Sequence, residues 1–131
     1  MRMNLMKIVS ATALILGLSV GGAIAQNYPN KPITLILPLG AGGSHDLNSR
    51  VFTSIIPKYL DQAMIVKLMP GASGQTGTAA AATAPADGYT LLFSHNYFDQ
   101  LQQHVKDLPY DTTKDFVTVA RLNSARFCLI V

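Results

Sequence analysis

Ile33-Thr34-Leu35-Ile36-Leu37-Pro38-Leu39-Gly40-Ala41-Gly42-Gly43-Ser44-His45-Asp46 is the stretch on which the fold turns. Its first five residues are nearly all apolar, and Pro38 stops the run. A strand apolar on both sides suits a parallel sheet with helices over both faces. The glycines make a turn, and a helix is expected to open near Ser44, whose hydroxyl suits an N-cap. Asp46 brings negative charge to the positive end of that helix. Leu47, Val51 and Ile55, and likewise Phe52 and Ile56, recur at helical spacing. Asp46 and Arg50 are placed to pair along the helix surface. Pro57 predicts a kink or a second helical start, because an interior proline removes a backbone hydrogen bond. The helical stretch is expected to end near Asp61-Gln62.

Outward from this unit the pattern continues. Residues 64–68 are a second short strand, and Pro70-Gly71-Ala72-Ser73-Gly74-Gln75-Thr76-Gly77 is a second glycine-rich loop. An alanine-dense helix is expected over residues 78–84, a turn at Pro85-Ala86-Asp87-Gly88, and a third strand over residues 89–93. A weaker helix is read over residues 97–105, with further strands over 117–122 and 127–131. Strands alternating with helices argue for an α/β domain with a largely parallel sheet. The last strand runs to Val131 with no polar tail, so the chain reads as interrupted.

Toward the amino terminus, Arg2 and Lys7 precede an apolar run over residues 8–22, and Ala23-Ile24-Ala25 follows before Gln26. This is the layout of a cleaved export signal over residues 1–25. A retained anchor is the alternative; the run is shorter than the roughly 18 residues of a spanning helix. Removing 25 of 131 residues leaves 106, room for one domain over residues 26–131. The loss of Arg2 and Lys7 takes the formal charge from +3 to +1. The remaining cations are scattered, which excludes the footprint of a nucleic-acid binder. A single cysteine, Cys128, rules out a disulfide scaffold and sits in an apolar run as a buried strand residue would.

The chemistry sits in the two glycine loops. Each follows a strand and opens a helix, the place where open α/β sheets bind ligands. The first amides of a helix lack internal partners and, with the macrodipole, attract anions. Glycine allows close backbone approach and positive φ. Two such loops suit a carboxylate held by backbone donors; the plainer alternative is that the glycines only make tight turns. The Walker pattern is absent, and His45 stands where a dinucleotide fingerprint needs glycine. Ser44-His45-Asp46 holds the residue types of a triad, but helical neighbours point about 100° apart and form no relay. His45, His95 and His104 show no metal-ligand spacing, all seven acidic residues are Asp, and no cofactor is expected.

Several motifs stand in order along the chain: Tyr28-Pro29-x-Lys31-Pro32-Ile33; Pro38, then Gly42-Gly43-x-x-Asp46-x-x-x-Arg50; Pro70-Gly71-Ala72-x-Gly74-x-x-Gly77-Thr78; residues 84–92; and Leu108-Pro109-Tyr110-Asp111 with Lys114-Asp115-Phe116. In these the sequence resembles the tripartite tricarboxylate transporter substrate-binding proteins, the Bug family of extracytoplasmic solute receptors. The resemblance implies a periplasmic-binding-protein type 2 fold, in which two α/β lobes close on a small carboxylate for delivery to a membrane permease. It implies that this chain supplies one lobe, with the second missing. By the same resemblance the ligand-binding residues are Leu39, Gly40, Ala41, Gly42, Gly43, Ser44, His45 and Asp46 in the first loop and Ala72, Ser73, Gly74, Gln75, Thr76 and Gly77 in the second. Ser94, His95 and Asn96 share their rim. Ser73 stands where the family often has glycine, and Gln75 where it often has asparagine.

The expectation is therefore a periplasmic, non-enzymatic carboxylate receptor that binds weakly or not at all in this 131-residue form. The alternatives are a small secreted hydrolase or anion-binding module, using some of Ser44, His45, Asp46, Ser73 and His95, and a nonfunctional fragment.

Overall fold

The computed structural model describes residues 28–95, 104 and 107–124. The expected export signal, Asn96, the final strand with Cys128 and all but His104 of the expected helix over 97–105 lie outside the described residues.

Strand β1 spans Ile33–Leu37. Helix α1 spans Ser44–Ile55 and α2 spans Pro57–Leu60. Strand β2 spans Met64–Leu68, a 3-10 turn spans Ala72–Gly74, helix α3 spans Gln75–Ala82 and strand β3 spans Thr90–Leu92. The strands form one parallel sheet in the order β2-β1-β3. Ile33 registers with Met64 and Leu37 with Leu68, while Leu35 registers with Leu91. The chain thus steps from the centre to one edge and back across to the other. With crossovers of the usual right hand, this order puts α1 and α3 on opposite faces.

The central strand shows the consequence. Ile33, Leu35 and Leu37 are buried on one face with Met64 and Phe93, and Phe52, Ile56 and Leu60 pack against them. Ile36, pointing the other way, is buried as well. Of the two apolar rows read on α1, only Phe52 and Ile56 meet the core. Leu47, Val51 and Ile55 are 60%, 61% and 43% exposed.

Pro57 divides the helical stretch as expected and occupies the first turn of α2, where its missing donor is harmless. Asp61, in the left-handed region at φ 53°, ends α2 and donates its N–H to Pro57 O at 3.1 Å. Three expectations need correction. Ser44 is the first residue of α1 rather than its cap; Gly43 holds the N-cap position and no side chain caps the turn. Helix α3 opens at Gln75, ahead of the expected Thr78. No strand forms over residues 117–122: Val117 and Val119 belong to none of the described strands and are 89% and 81% exposed. Their alternation reports strand propensity, but a strand also needs a neighbour to hydrogen-bond.

At the amino edge of the sheet the first family-like motif closes on the fourth. Tyr28 Oη donates to Gly88 O at 2.7 Å, and its ring meets that of Tyr89 edge-on at 5.1 Å. The Tyr89 hydroxyl bonds Asn30, and the Lys31 ammonium sits 4.2 Å above the Tyr89 ring.

Candidate functional site

The first loop leaves β1 through the buried Pro38. Gly42 takes φ 83°, a conformation that favours glycine, and Gly43 turns the chain into α1. A side chain added at Gly40, Gly42 or Gly43 would meet open space, so the backbone of this loop is uncovered. Asp46 holds it in shape from the first turn of α1. Its Oδ2 accepts from the Gly42 N–H at 2.8 Å, and its Oδ1 accepts from Arg50 Nε at 2.9 Å. The pairing with Arg50 was expected on the surface; instead Asp46 is only 3% exposed and braces the loop from beneath. The Gly42 N–H is the main reason its carboxyl titrates below the ordinary range. Burial opposes this, and Arg50 adds to it.

The second loop is more contorted. Gly71, Ala72, Ser73 and Gly74 all have positive φ, at 137°, 46°, 53° and 90°. Gly71 O collects the N–H of Gly74 at 2.9 Å, and the chain enters α3 through Gly74, again with no side-chain cap. Thr78 is buried and its hydroxyl donates to Gly74 O at 2.8 Å.

These loops touch. A Cβ on Gly77 would fall 2.8 Å from Pro38 Cα and 2.8 Å from Met69 O, so the first turn of α3 lies directly on the exit of β1. Met69 N–H donates to Leu37 O at 2.9 Å, which ties the exits of β1 and β2 together. The exit of β3 joins from the other side: Phe93 N–H donates to Ile36 O at 2.8 Å. Beyond it, the His95 ring lies 4.6 Å from that of His45, and Phe93 meets His45 edge-on at 6.3 Å. Both histidines are half-buried. The sequence offered no signal for this meeting, because the residues lie on separate elements with no shared spacing.

Leu39 to Asp46, Ala72 to Gly77, Ser94 and His95 therefore share the carboxyl edge of the sheet. Ser44 Oγ lies 3.5 Å from His45 Nδ1, but both Asp46 oxygens are directed to Gly42 and Arg50, so the triad types do not assemble. Among the described residues no group of three or more His, Cys, Asp or Glu is placed to hold a metal.

In open parallel α/β sheets this carboxyl end, where two helices here start without side-chain caps, is where ligands commonly sit. The sequence model described as the tripartite tricarboxylate transporter family receptor matches residues 49–131, and the chain belongs to that family. A UPF0065 protein of Bordetella bronchiseptica is 43% identical over 108 residues, covering 82% of this chain and 32% of that protein. The chain thus spans about a third of the length of the curated relatives it matches. The solved periplasmic binding protein BugD has a TM-score of 0.65 at 30% identity, over 68% of this chain and 30% of that one. MatC of Rhodopseudomonas palustris, solved with bound malate, has a TM-score of 0.58 at 28% identity, over 68% and 31% of the two chains.

Proposed function

We propose that this chain is the amino-terminal lobe of an extracytoplasmic receptor that captures a small organic carboxylate for a tripartite tricarboxylate-type transporter. Residues 1–25 direct export to the periplasm, and residues 26–131 form the lobe. The observation that carries the reading is the pair of helix starts on one sheet edge. The glycine backbone before α1 is open, and no side chain caps either helix. Such amides donate to an anion without the desolvation penalty of a buried cation. Family membership supports a permease partner, and malate, bound by MatC, is the natural first probe.

Gly43, Ser44 and His45 from the first loop, and Ser73, Gln75, Thr76 and Gly77 from the second, are assigned to the ligand, since the Gly42 and Gly74 N–H groups already donate within the loops. Asp46 is assigned to bracing, since a carboxylate aimed at a bound carboxylate would repel it. Amide NMR of the chain titrated with malate tests the proposal. Shifts concentrated at residues 40–46 and 72–77 are expected, at weak affinity because one lobe supplies only part of the enclosure. The reading fails if malate, citrate and other organic acids leave both segments unmoved.

A further inference from the structure

The described loops of the carboxyl edge carry no fixed positive charge. Residues 38–44 and 70–78 contain no Asp, Glu, Lys or Arg. On the helix that bears His45, the nearby ions Asp46 and Arg50 are engaged with each other. The exit of β3, residues 93–95, contributes His95 alone as a titratable group. Lys67 belongs to β2, across the sheet from β3, and the Lys114 ammonium is held by Asp111 at 2.7 Å. What stands at the edge instead is the imidazole pair, 4.6 Å apart and tilted by 58°, with Phe93 against His45.

We infer that His45 and His95 form a proton-dependent second half of the anion site, which selects dicarboxylates over monocarboxylates. This rests on the carboxylate reading of the same edge. The helix amides take one carboxylate, and the imidazole pair donates to the other. Imidazole is the side chain that changes charge between about pH 5 and 8. A proton converts a ring nitrogen from acceptor to donor. Two rings this close repel when both are charged, and an anion against them relieves that repulsion. Binding of ligand and of proton therefore favour one another, and the coupling is reciprocal.

The test follows the imidazole ring resonances and backbone amides of the 131-residue chain during titration with malate and with butyrate. It is run near pH 6 and near pH 8, with His104 as an internal control. Malate is expected to bind roughly five- to tenfold more tightly at the lower pH, the worth of making one hydrogen bond charge-assisted. The rings of His45 and His95 should move and that of His104 should not. Butyrate should move the loop amides with little dependence on pH. The variant His45→Asn with His95→Asn should bind malate no more tightly near pH 6 than near pH 8. Loop amides that shift while the two rings stay fixed, or a pH dependence that survives in the double variant, overturns the inference and leaves the carboxylate reading standing. Amides that do not respond to either acid overturn both.

Discussion

Ser73 and its neighbour Ala72 hold a left-handed backbone that L-residues visit at a penalty of roughly 1–2 kcal/mol each. Ser73→Gly removes that penalty but adds freedom to the unfolded chain, so a net gain of about 0.5–1 kcal/mol is expected in urea denaturation. Ser73→Val should move the midpoint the other way. Gly77 poses the opposite problem, because a single methyl there collides with the backbone of Pro38 and Met69. Gly77→Ala is expected to destabilise by roughly 1–3 kcal/mol and to shift the amide signals of both loops. Asp46 and Asp111 both titrate below the ordinary value of 3.8; for Asp111 the causes are Lys114 first and then Thr113. A carboxyl lowered on folding stabilises the fold above its unfolded value, and that contribution is lost as pH falls through the folded value. Urea midpoints should therefore decline as pH drops below about 4. Asp46→Asn should begin lower and decline less steeply. An unchanged acid limb in that variant would remove Asp46 from its bracing role.

Among the elements, the strands β1 and β2 were legible in full, because each is a short apolar run closed by proline or glycine. The start of α3 was less so. Gly77 inside a helix argues against helix on propensity, and here close packing on Pro38 overrides it. The strand expected over residues 117–122 was misread for the converse reason, since alternation alone builds no ladder and no described strand pairs with these residues. Helix α1 carried two apolar rows of equal promise, and only the fold distinguishes them. Phe52 packs on the core while Val51 is exposed. Phe52→Ala is expected to lower stability by about 2–4 kcal/mol, whereas Val51→Gln should stay within about 0.5 kcal/mol of the parent. Thermal and urea unfolding of the two variants check this directly. The two loops of the candidate site were legible as glycine-rich turns, whereas the junction of His45 with His95 was not, because only the crossover back to β3 creates it.

At the scale of the whole molecule, the two edges of the sheet divide the work. The amino edge is a clasp of Tyr28, Asn30 and Lys31 around Gly88 and Tyr89; the carboxyl edge holds the glycine loops. Tyr28→Phe deletes one hydrogen bond and is expected to cost about 0.5–1.5 kcal/mol. Ligand-induced amide shifts at the far edge should be unaltered; coupled changes there would show that the edges are not independent. The contact of Gly77 with Pro38 also sets a dimension. With no side chain between them, the spacing of the two loops is fixed when the chain folds. Any side chain at residue 77 would force the exit of β1 and the start of α3 apart.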